Sequence, residues 1–350
     1  MSAQGRPTLS VLVVTYNERE MVERSLPPLV AQLGDGDELI VADNHSGDGT
    51  VEAVRRLAPD ATLVEMPSNE GIMAACNAAA SRSSGDLLLK LDADTIVAAG
   101  FCDAIRRPAV EDRGWAAWMG LVTMDEGRLI NTSGGVVHFT GISWAGQVDE
   151  PVGRAPEGPR EVDFVSGACM AVTRSAWEEH PGFPPEYFLY FEDVDYSLRL
   201  RLSGARIGVE PAARVDHLYD FTRARVKKWR LLERNRWATI VRTYPAELLV
   251  LVAPALLATE LALLLVALGG GWAGDKLLAW GDIARALPRL IRERAAIQRH
   301  RRVSAAEFAS HMTSELSSPY LGRAAELRWL RWLLRGYWRF VCAALARSAA

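Results

Sequence analysis

The sequence predicts an α/β fold, a mostly parallel sheet with helices on both faces, followed by a C-terminal helical region. Three observations carry that reading. Between Leu9 and Asp94 short β-rich apolar runs alternate with helical patterns, which is repeated βαβ with right-handed crossovers. Polar clusters rich in Asp and Asn stand where those apolar runs end. After Tyr244 the chain becomes first almost wholly apolar and then arginine-rich at helical spacing. A chain of 350 residues, 49% hydrophobic and with a net charge of −3, can bury a substantial core and has no electrostatic reason to bind nucleic acid. Lys and Arg gather after position 220 while Asp and Glu dominate before it, so two regions with different tasks are expected, residues 1–222 and residues 223–350. Cys76, Cys102, Cys169 and Cys342 form no CxxC pair, and Met1 to Ser10 lacks the basic-then-apolar layout of a signal peptide, so a reducing cytoplasmic setting is expected.

In chain order the apolar, β-branched runs Leu9 to Thr15, Glu38 to Ala42, Thr62 to Glu65 and Asp86 to Leu91 read as strands. Between them Met21 to Leu33, Thr50 to Leu57 and Ile72 to Ser81 read as helices. Ligands bind outside the carboxyl ends of the strands in such open sheets. Here those ends read Thr15-Tyr16-Asn17-Glu18, Asp43-Asn44-His45-Ser46-Gly47-Asp48-Gly49-Thr50 and Asp92-Ala93-Asp94, so all three clusters fall on one edge of one sheet. Beyond Trp115 the pattern is mixed. Trp118 to Thr123 and Val162 to Val172 are strand-like, Gly134 to Gly158 reads as hairpins and loops, Asp193 to Ser203 as a helix, and Ala205 to Val209 and Arg214 to His217 as short strands.

The chemistry-bearing motifs begin with an exclusion. No GxGxxG or GxxxxGK follows Val14, which argues against a dinucleotide dehydrogenase or a P-loop enzyme. Asp43 can accept hydrogen bonds from a base or ribose and Tyr16 can lie against a base; equally, Asp43 to Thr50 is good turn-to-helix chemistry without any ligand. Asp92 and Asp94 alternate at the end of a strand, where two carboxylates can share one divalent ion, and Mg²⁺ or Mn²⁺ prefers such hard oxygens and bridges to phosphates. His217, at the end of its short strand, fits either a third ligand or a structural histidine. Glu192, Asp193 and Asp195 stand at the end of the aromatic run Tyr187 to Phe191, a setting that a merely solvated face would not need. Glu192 and Asp195 can orient Asp193, or they can lie on the surface of the helix start, which favours acids.

Six ordered motifs resemble the family 2 inverting glycosyltransferases of the GT-A fold, particularly the bacterial rhamnosyltransferase-like branch. They are Val13 to Glu18, Val41 to Thr50, Asn69-Glu70-Gly71 to Asn77, Leu91 to Asp94, Ser166-Gly167-Ala168, and Phe188 to Arg199. The likeness covers roughly residues 8–220 and implies a Rossmann-like nucleotide-sugar-binding domain. It implies that Asp43 reads the nucleotide base, that Asp94 and His217 ligate a divalent metal, and that Asp92 touches the ribose or a metal-bound water. It makes Asp193 the general base, with Thr15, Tyr16, Asn17, Asn69, Gly71, Gly167 and Glu192 around the substrates. The implied donor is a nucleotide diphosphate sugar and the implied acceptor a hydroxyl of a glycan or lipid-linked molecule. One departure stands out: where that branch usually has Asn-Pro-Asp this chain has Asp92-Ala93-Asp94, so the donor sugar is left open. A sugar nucleotidyltransferase would be expected to carry a Gly-rich basic loop after the first strand, which Tyr16-Asn17-Glu18 does not offer. A non-catalytic sugar-binding protein at the membrane would have no need of Asp193.

The motifs do not reach the C-terminal region. Leu248 to Leu268 is apolar and would span about 31 Å as a helix, long enough to cross a bilayer. A single crossing would place the arginine-rich tail outside and bury Pro254 and Glu260 at mid-membrane, against the usual tendencies. A monotopic hairpin or a helix packed on the domain is expected instead. In the helix expected from Ala325 to Ala346, Arg328, Arg331, Arg335 and Arg339 form one stripe and Leu327, Leu330, Leu334, Trp338 and Val341 another. That reads either as an element lying on anionic lipid at the inner face of the cell membrane, with the leucine stripe toward the acyl chains, or as a packing helix with solvated arginines.

Overall fold

The structure, a computed structural model, describes residues 5–218, 228–317 and 327–349. The chain divides into two compact units, one made of Met1–Gly135, Ala145–Leu200 and Ala205–Asp220, the other of Val136–Trp144, Arg201–Gly204 and Phe221–Ala350. The boundary expected between residues 222 and 223 lies outside the described residues.

The first unit opens with the alternation β1 (Leu9–Thr15), α1 (Arg19–Val30), β2 (Glu38–Asp43), α2 (Thr50–Leu57), β3 (Thr62–Glu65), α3 (Ile72–Ala80) and β4 (Leu87–Asp92). β1 is buried along its whole length and β2 after its first residue, the continuous apolar pattern of strands covered on both faces. β1 pairs in parallel with β2 and β4, and β2 with β3, in unbroken register. The alanine-rich α3 buries Met73, Ala75, Cys76, Ala79 and Ala80, small side chains that let it sit close to the sheet.

The unit continues through β5 (Thr95–Val97), α4 (Phe101–Val110), β6 (Trp115–Met124) and β7 (Leu129–Thr132). β8 (Gly135–Val137) and β9 (Ser143–Ala145) form a small separate sheet that falls mostly in the second unit, and the first unit resumes with β10 (Arg160–Glu161), β11 (Cys169–Thr173), α5 (Arg174–Glu179), α6 (Glu192–Leu202) and β12 (Arg206–His217). The main sheet runs β10-β12-β6-β11-β4-β1-β2-β3, with β5 added on β12 and β7 on β6. Its β1 to β4 half is parallel, whereas β11 is antiparallel to both β4 and β6.

Two expectations need correction. Of the strand expected from Val162 to Val172 only the end from Cys169 onward is formed, as β11, because the Gly-containing segment between β10 and β11 leaves the sheet to meet α6. The two short strands expected at Ala205 to Val209 and Arg214 to His217 are one strand, β12, whose register against β6 shifts between Glu210 and Arg214, a bulge that hid the continuity.

The second unit is helical: α7 (Lys228–Thr243), α8 (Ala246–Gly269), α9 (Ala273–Arg299), α10 (Ala305–Ala309) and α11 (Arg328–Ala349). α8 is long and apolar enough to cross a membrane by length and composition alone. Its buried stripe Leu248, Val252, Leu256 and Glu260 repeats every fourth residue, so Glu260 continues an apolar seam. The carboxylate is matched there: Lys276 Nζ lies 2.8 Å away, Trp280 Nε1 donates to it at 2.6 Å, and Arg236 also donates to it. Glu233 completes the group, paired with Arg236 at 3.0 Å and bonded to Lys276. Two cations and two anions buried together satisfy one another, which tethers α8 to α7 and α9.

α11 lies where the sequence expected a helix, although Ala325 and Glu326 at its expected start are outside the described residues. Most of its leucine stripe does not face outward. Trp338 stacks on Phe139 with ring centroids 4.8 Å apart, Val341 and Leu345 are buried, and Tyr337 donates to the Leu251 carbonyl at 2.5 Å. Trp338 and Val341 of the stripe expected to meet acyl chains are therefore packed inward, Leu330 and Leu334 are half-buried, and Leu327 at its start is exposed.

Candidate active site

Sheet geometry alone brings the acidic end of β4 to His217. β5 follows β4 after the two-residue turn Ala93-Asp94, and β12 returns antiparallel along β5 with His217 opposite Thr95. The Leu218 amide closes the end of the pair by donating to the Asp94 carbonyl at 2.9 Å. His217 Nε2 consequently lies 3.1 Å from Asp94 Oδ1, and one ligand atom from each of Asp92, Asp94 and His217 lies within 4.8 Å of the others.

The electrostatics at this corner favour a cation. Burial is the largest influence on Asp94 and opposes its ionisation, yet the His217 hydrogen bond and charge, with the backbone and Lys90, together outweigh it and lower the Asp94 pKa. Burial likewise disfavours the His217 imidazolium, and the Asp94 contact overcomes it, so the His217 pKa is raised. Glu18, at the start of α1, is pushed up to about 8 by burial and then by Asp94 and Asp92. The two carboxylates and the imidazole that converge here form a donor set that suits Mg²⁺ or Mn²⁺.

A second carboxylate pair stands at the head of α6. The segment from Phe164 to Ala168 stitches that helix to β4: the Val165 amide donates to Ser197 Oγ at 3.1 Å, and the Asp92 amide donates to the Ala168 carbonyl at 3.2 Å. At its centre the Gly167 amide donates to Asp193 Oδ2 at 3.1 Å. Lys90, buried in β4, donates to the Gly167 carbonyl and to Asp92 Oδ1, both at 2.6 Å. One ammonium thus links the side chain of Asp92 to the loop that holds Asp193. A Cβ on Gly167 would come within 2.9 Å of Glu192 Oε1, so any larger residue there displaces the Glu192 carboxyl.

Within that pair the environments differ. Glu192 is buried, its Oε2 meets no hydrogen-bond partner among the described residues, and burial followed by the Asp193 charge pushes its pKa up to about 8. Burial also raises Asp193, but hydrogen bonds from the Gly167 and Val194 amides favour its ionised form. Burial and the neighbouring charge therefore favour the protonated form of Glu192, while the two amide hydrogen bonds favour the ionised form of Asp193, which is partly open to solvent. Asp195 is fully buried, bonded to Arg199 at 2.9 Å and to the Tyr187 hydroxyl at 3.3 Å. The surface reading of Glu192 and Asp195 is thereby overturned.

The remaining expected residues build the sheet edge. Asp43 is 2% exposed and accepts from Thr15 Oγ1 at 2.8 Å and from the Ser46 amide and hydroxyl at 2.8 and 2.6 Å. Asn17 accepts from the Gly47 amide at 2.8 Å, while Tyr16 stands 45% exposed beside it. Asn69 accepts from Asn44 Nδ2 at 2.8 Å and from the Gly71 amide at 3.1 Å, locking the ends of β2 and β3 together. Gly71 has φ +90°, and a Cβ there would meet Phe188 at 2.6 Å. Phe188, Tyr190 and Phe191 themselves take positive φ immediately before Glu192, the backbone strain that gathers at functional sites.

Lys90, Glu18, Asn44 and Ser46 were not singled out from the sequence. Lys90 had a visible signal, being the one charge inside the apolar run Leu87 to Leu91; the others are ordinary loop residues until the loops close on one another.

Residues 10–135 match the family described as Glycosyl transferase family 2. An N-acetylglucosaminyl-diphospho-decaprenol L-rhamnosyltransferase from Mycobacterium tuberculosis is 28% identical over 231 residues, 60% of this chain and 75% of that protein. Among solved structures, GalNAc-T7 with UDP, GalNAc and Mn²⁺ superposes with a TM-score of 0.56 at 16% identity, covering 69% of this chain and 49% of that one. A mannosyltransferase from Pyrobaculum calidifontis in complex with GDP-Man and Mn²⁺ superposes with a TM-score of 0.50 at 22% identity, over 85% of this chain and 86% of that one. At such identities the two structures establish likeness of fold.

Proposed function

We propose that this chain, a family 2 glycosyltransferase, transfers a sugar with inversion from a nucleotide diphosphate sugar to a hydroxyl of a glycan or lipid-linked acceptor. The observation that carries this reading is the chain of contacts from Asp92 through Lys90 and Gly167 to Asp193. It ties a carboxylate suited to deprotonating an acceptor to a donor set suited to a divalent cation.

Asp193 takes the acceptor proton as the hydroxyl attacks the anomeric carbon, and Glu192, kept neutral beside it, leaves that role to one carboxylate. Asp94 and His217, with Asp92 in support, would hold Mg²⁺ or Mn²⁺, which when bound neutralises the charge developing on the departing diphosphate. Tyr16 offers its exposed ring to the base, and the loops closed by Thr15, Asn17, Asp43 and Asn69 shape that end of the donor site. Lys90 is a positioning residue that keeps Asp92 and the Gly167 loop in register. Residues 1–222 supply this chemistry, and residues 223–350 hold the enzyme at the inner membrane face as a peripheral or monotopic protein. The Glu260 network supports the latter, since spanning would pull a matched buried charge out of its partners.

The lipid-linked acceptor draws support from the mycobacterial relative, whose name specifies a diphospho-decaprenol substrate. Measuring nucleoside diphosphate release from a panel of nucleotide sugars, with and without acceptor and with and without Mn²⁺, tests the reading. Product anomeric configuration by NMR tests inversion. Pyrophosphate release from a nucleoside triphosphate and a sugar phosphate would indicate a nucleotidyltransferase instead.

A further inference from the structure

We infer that the outward strip of α11 formed by Trp329, Trp332, Leu333 and Phe340 is a docking face for an anionic bilayer surface. The inference rests on the membrane association proposed above and identifies the surface that provides it. On a helix with about 100° between residues these four side chains share one side, away from the Trp338, Val341 and Leu345 face that packs inside the second unit. Trp332 is 78% exposed, Trp329 63%, Phe340 59% and Leu333 51%. Isolated exposed apolar residues are ordinary, but two tryptophans and a phenylalanine on one side of one helix make a patch.

The charge pattern selects the occupant. Arg328, Arg331, Arg335 and Arg339 run alongside the strip, Arg347 follows in the last turn, and α11 contains no Asp or Glu, although Arg335 pairs with Glu315 at 2.7 Å. Aromatic rings with a polar edge settle at the level of lipid headgroups, and arginines beside them meet the phosphates. α8, to which α11 is joined by the Tyr337 to Leu251 hydrogen bond, also turns an apolar strip outward, including Val250, Leu257, Leu261 and Leu265. Pairing α11 with a second copy of itself would gather both sets of arginines around one seam with no carboxylate on the helix to neutralise them.

The test uses the full chain sedimented with vesicles of phosphatidylcholine alone or mixed with phosphatidylglycerol. The protein is expected to bind the mixed vesicles, and the combined variant Trp329→Ala, Trp332→Ala, Phe340→Ala to lose at least about tenfold in affinity. Because those side chains are exposed, circular dichroism and Mn²⁺-dependent nucleotide binding of the variant are expected to match the parent. A second variant, Arg331→Gln with Arg339→Gln, is expected to lose the preference for the anionic vesicles. Equal binding by parent and aromatic variant overturns the inference. So does a parent that ignores vesicles but forms a dimer which the aromatic variant abolishes. Failure of sugar transfer with intact vesicle binding would instead count against the proposed reaction and leave this surface standing.

Discussion

The two acids at the head of α6 stand in different surroundings: two backbone amides donate to Asp193, while Glu192 Oε2 is buried without such a donor among the described residues. Asp193→Asn retains the side-chain shape and one oxygen for the Gly167 amide at the expense of the Val194 contact, so donor binding is expected to persist while turnover falls by roughly two to four decades. Near-parent turnover by a folded Asn variant would remove Asp193 from the role of base. Glu192 makes a different prediction, on stability. Its folded pKa of about 8 stands above the ordinary 4.5, so the native protein keeps a proton that the unfolded chain gives up. That contribution is complete below the unfolded value and disappears as pH rises through about 8, and Glu18 acts with the same sign. Thermal melts are therefore expected to decline from mildly acidic to mildly alkaline pH, and Glu192→Gln to flatten the decline. An unchanged slope would show that Glu192 ionises in the ordinary range. Asp94→Ala or His217→Ala is expected to abolish the Mn²⁺ dependence of nucleotide binding, read by calorimetry, without unfolding the sheet.

At the scale of elements, the segment between β10 and β11 and the helix α8 each rest on one residue. Gly167→Ala places a Cβ within 2.9 Å of Glu192 Oε1, so the Glu192 carboxyl has to move away from its place beside Asp193. The expected result is a loss of turnover larger than the loss of stability, and a variant with parent kinetics would show that the loop relaxes freely. In the second unit Lys276→Met leaves Glu233 and Glu260 facing one another with only Arg236 between them. Removing one partner of such a buried group costs about 3 to 5 kcal/mol, measurable as a lowered Tm. The sequence showed both elements imperfectly. Val162 to Val172 reads as one strand because its composition is that of a strand; only the Gly167 amide on Asp193 explains why it leaves the sheet. Glu260 looks anomalous inside an apolar run because its partners Arg236 and Lys276 come from other helices.

For the molecule as a whole, nucleotide sugar binding is expected to raise Tm only when a divalent ion is present, as mass action on a shared site requires. An equal shift after chelation would separate donor binding from Asp94 and His217. Removing α11 is expected to lower stability as well as membrane binding, since Trp338, Val341 and Leu345 each lose a buried environment worth about 1.5 to 3 kcal/mol.

Local sequence was enough for the α/β class, for β1 to β4 and their helices, and for the placing of Asp43, Asp92 and Asp94 at one sheet edge. Strand period, apolar continuity and position at a strand end are all properties of neighbouring residues. Tertiary structure alone decided the rest. The meeting of His217 with Asp94 depends on β12 pairing with β5, a register set by partners more than a hundred residues apart. The proton on Glu192 depends on burial, and the outward side of α11 depends on Phe139 claiming Trp338. A helical wheel shows two apolar stripes on α11 without saying which is covered; burial is a property of the assembled core, and no stretch of sequence contains its own neighbours.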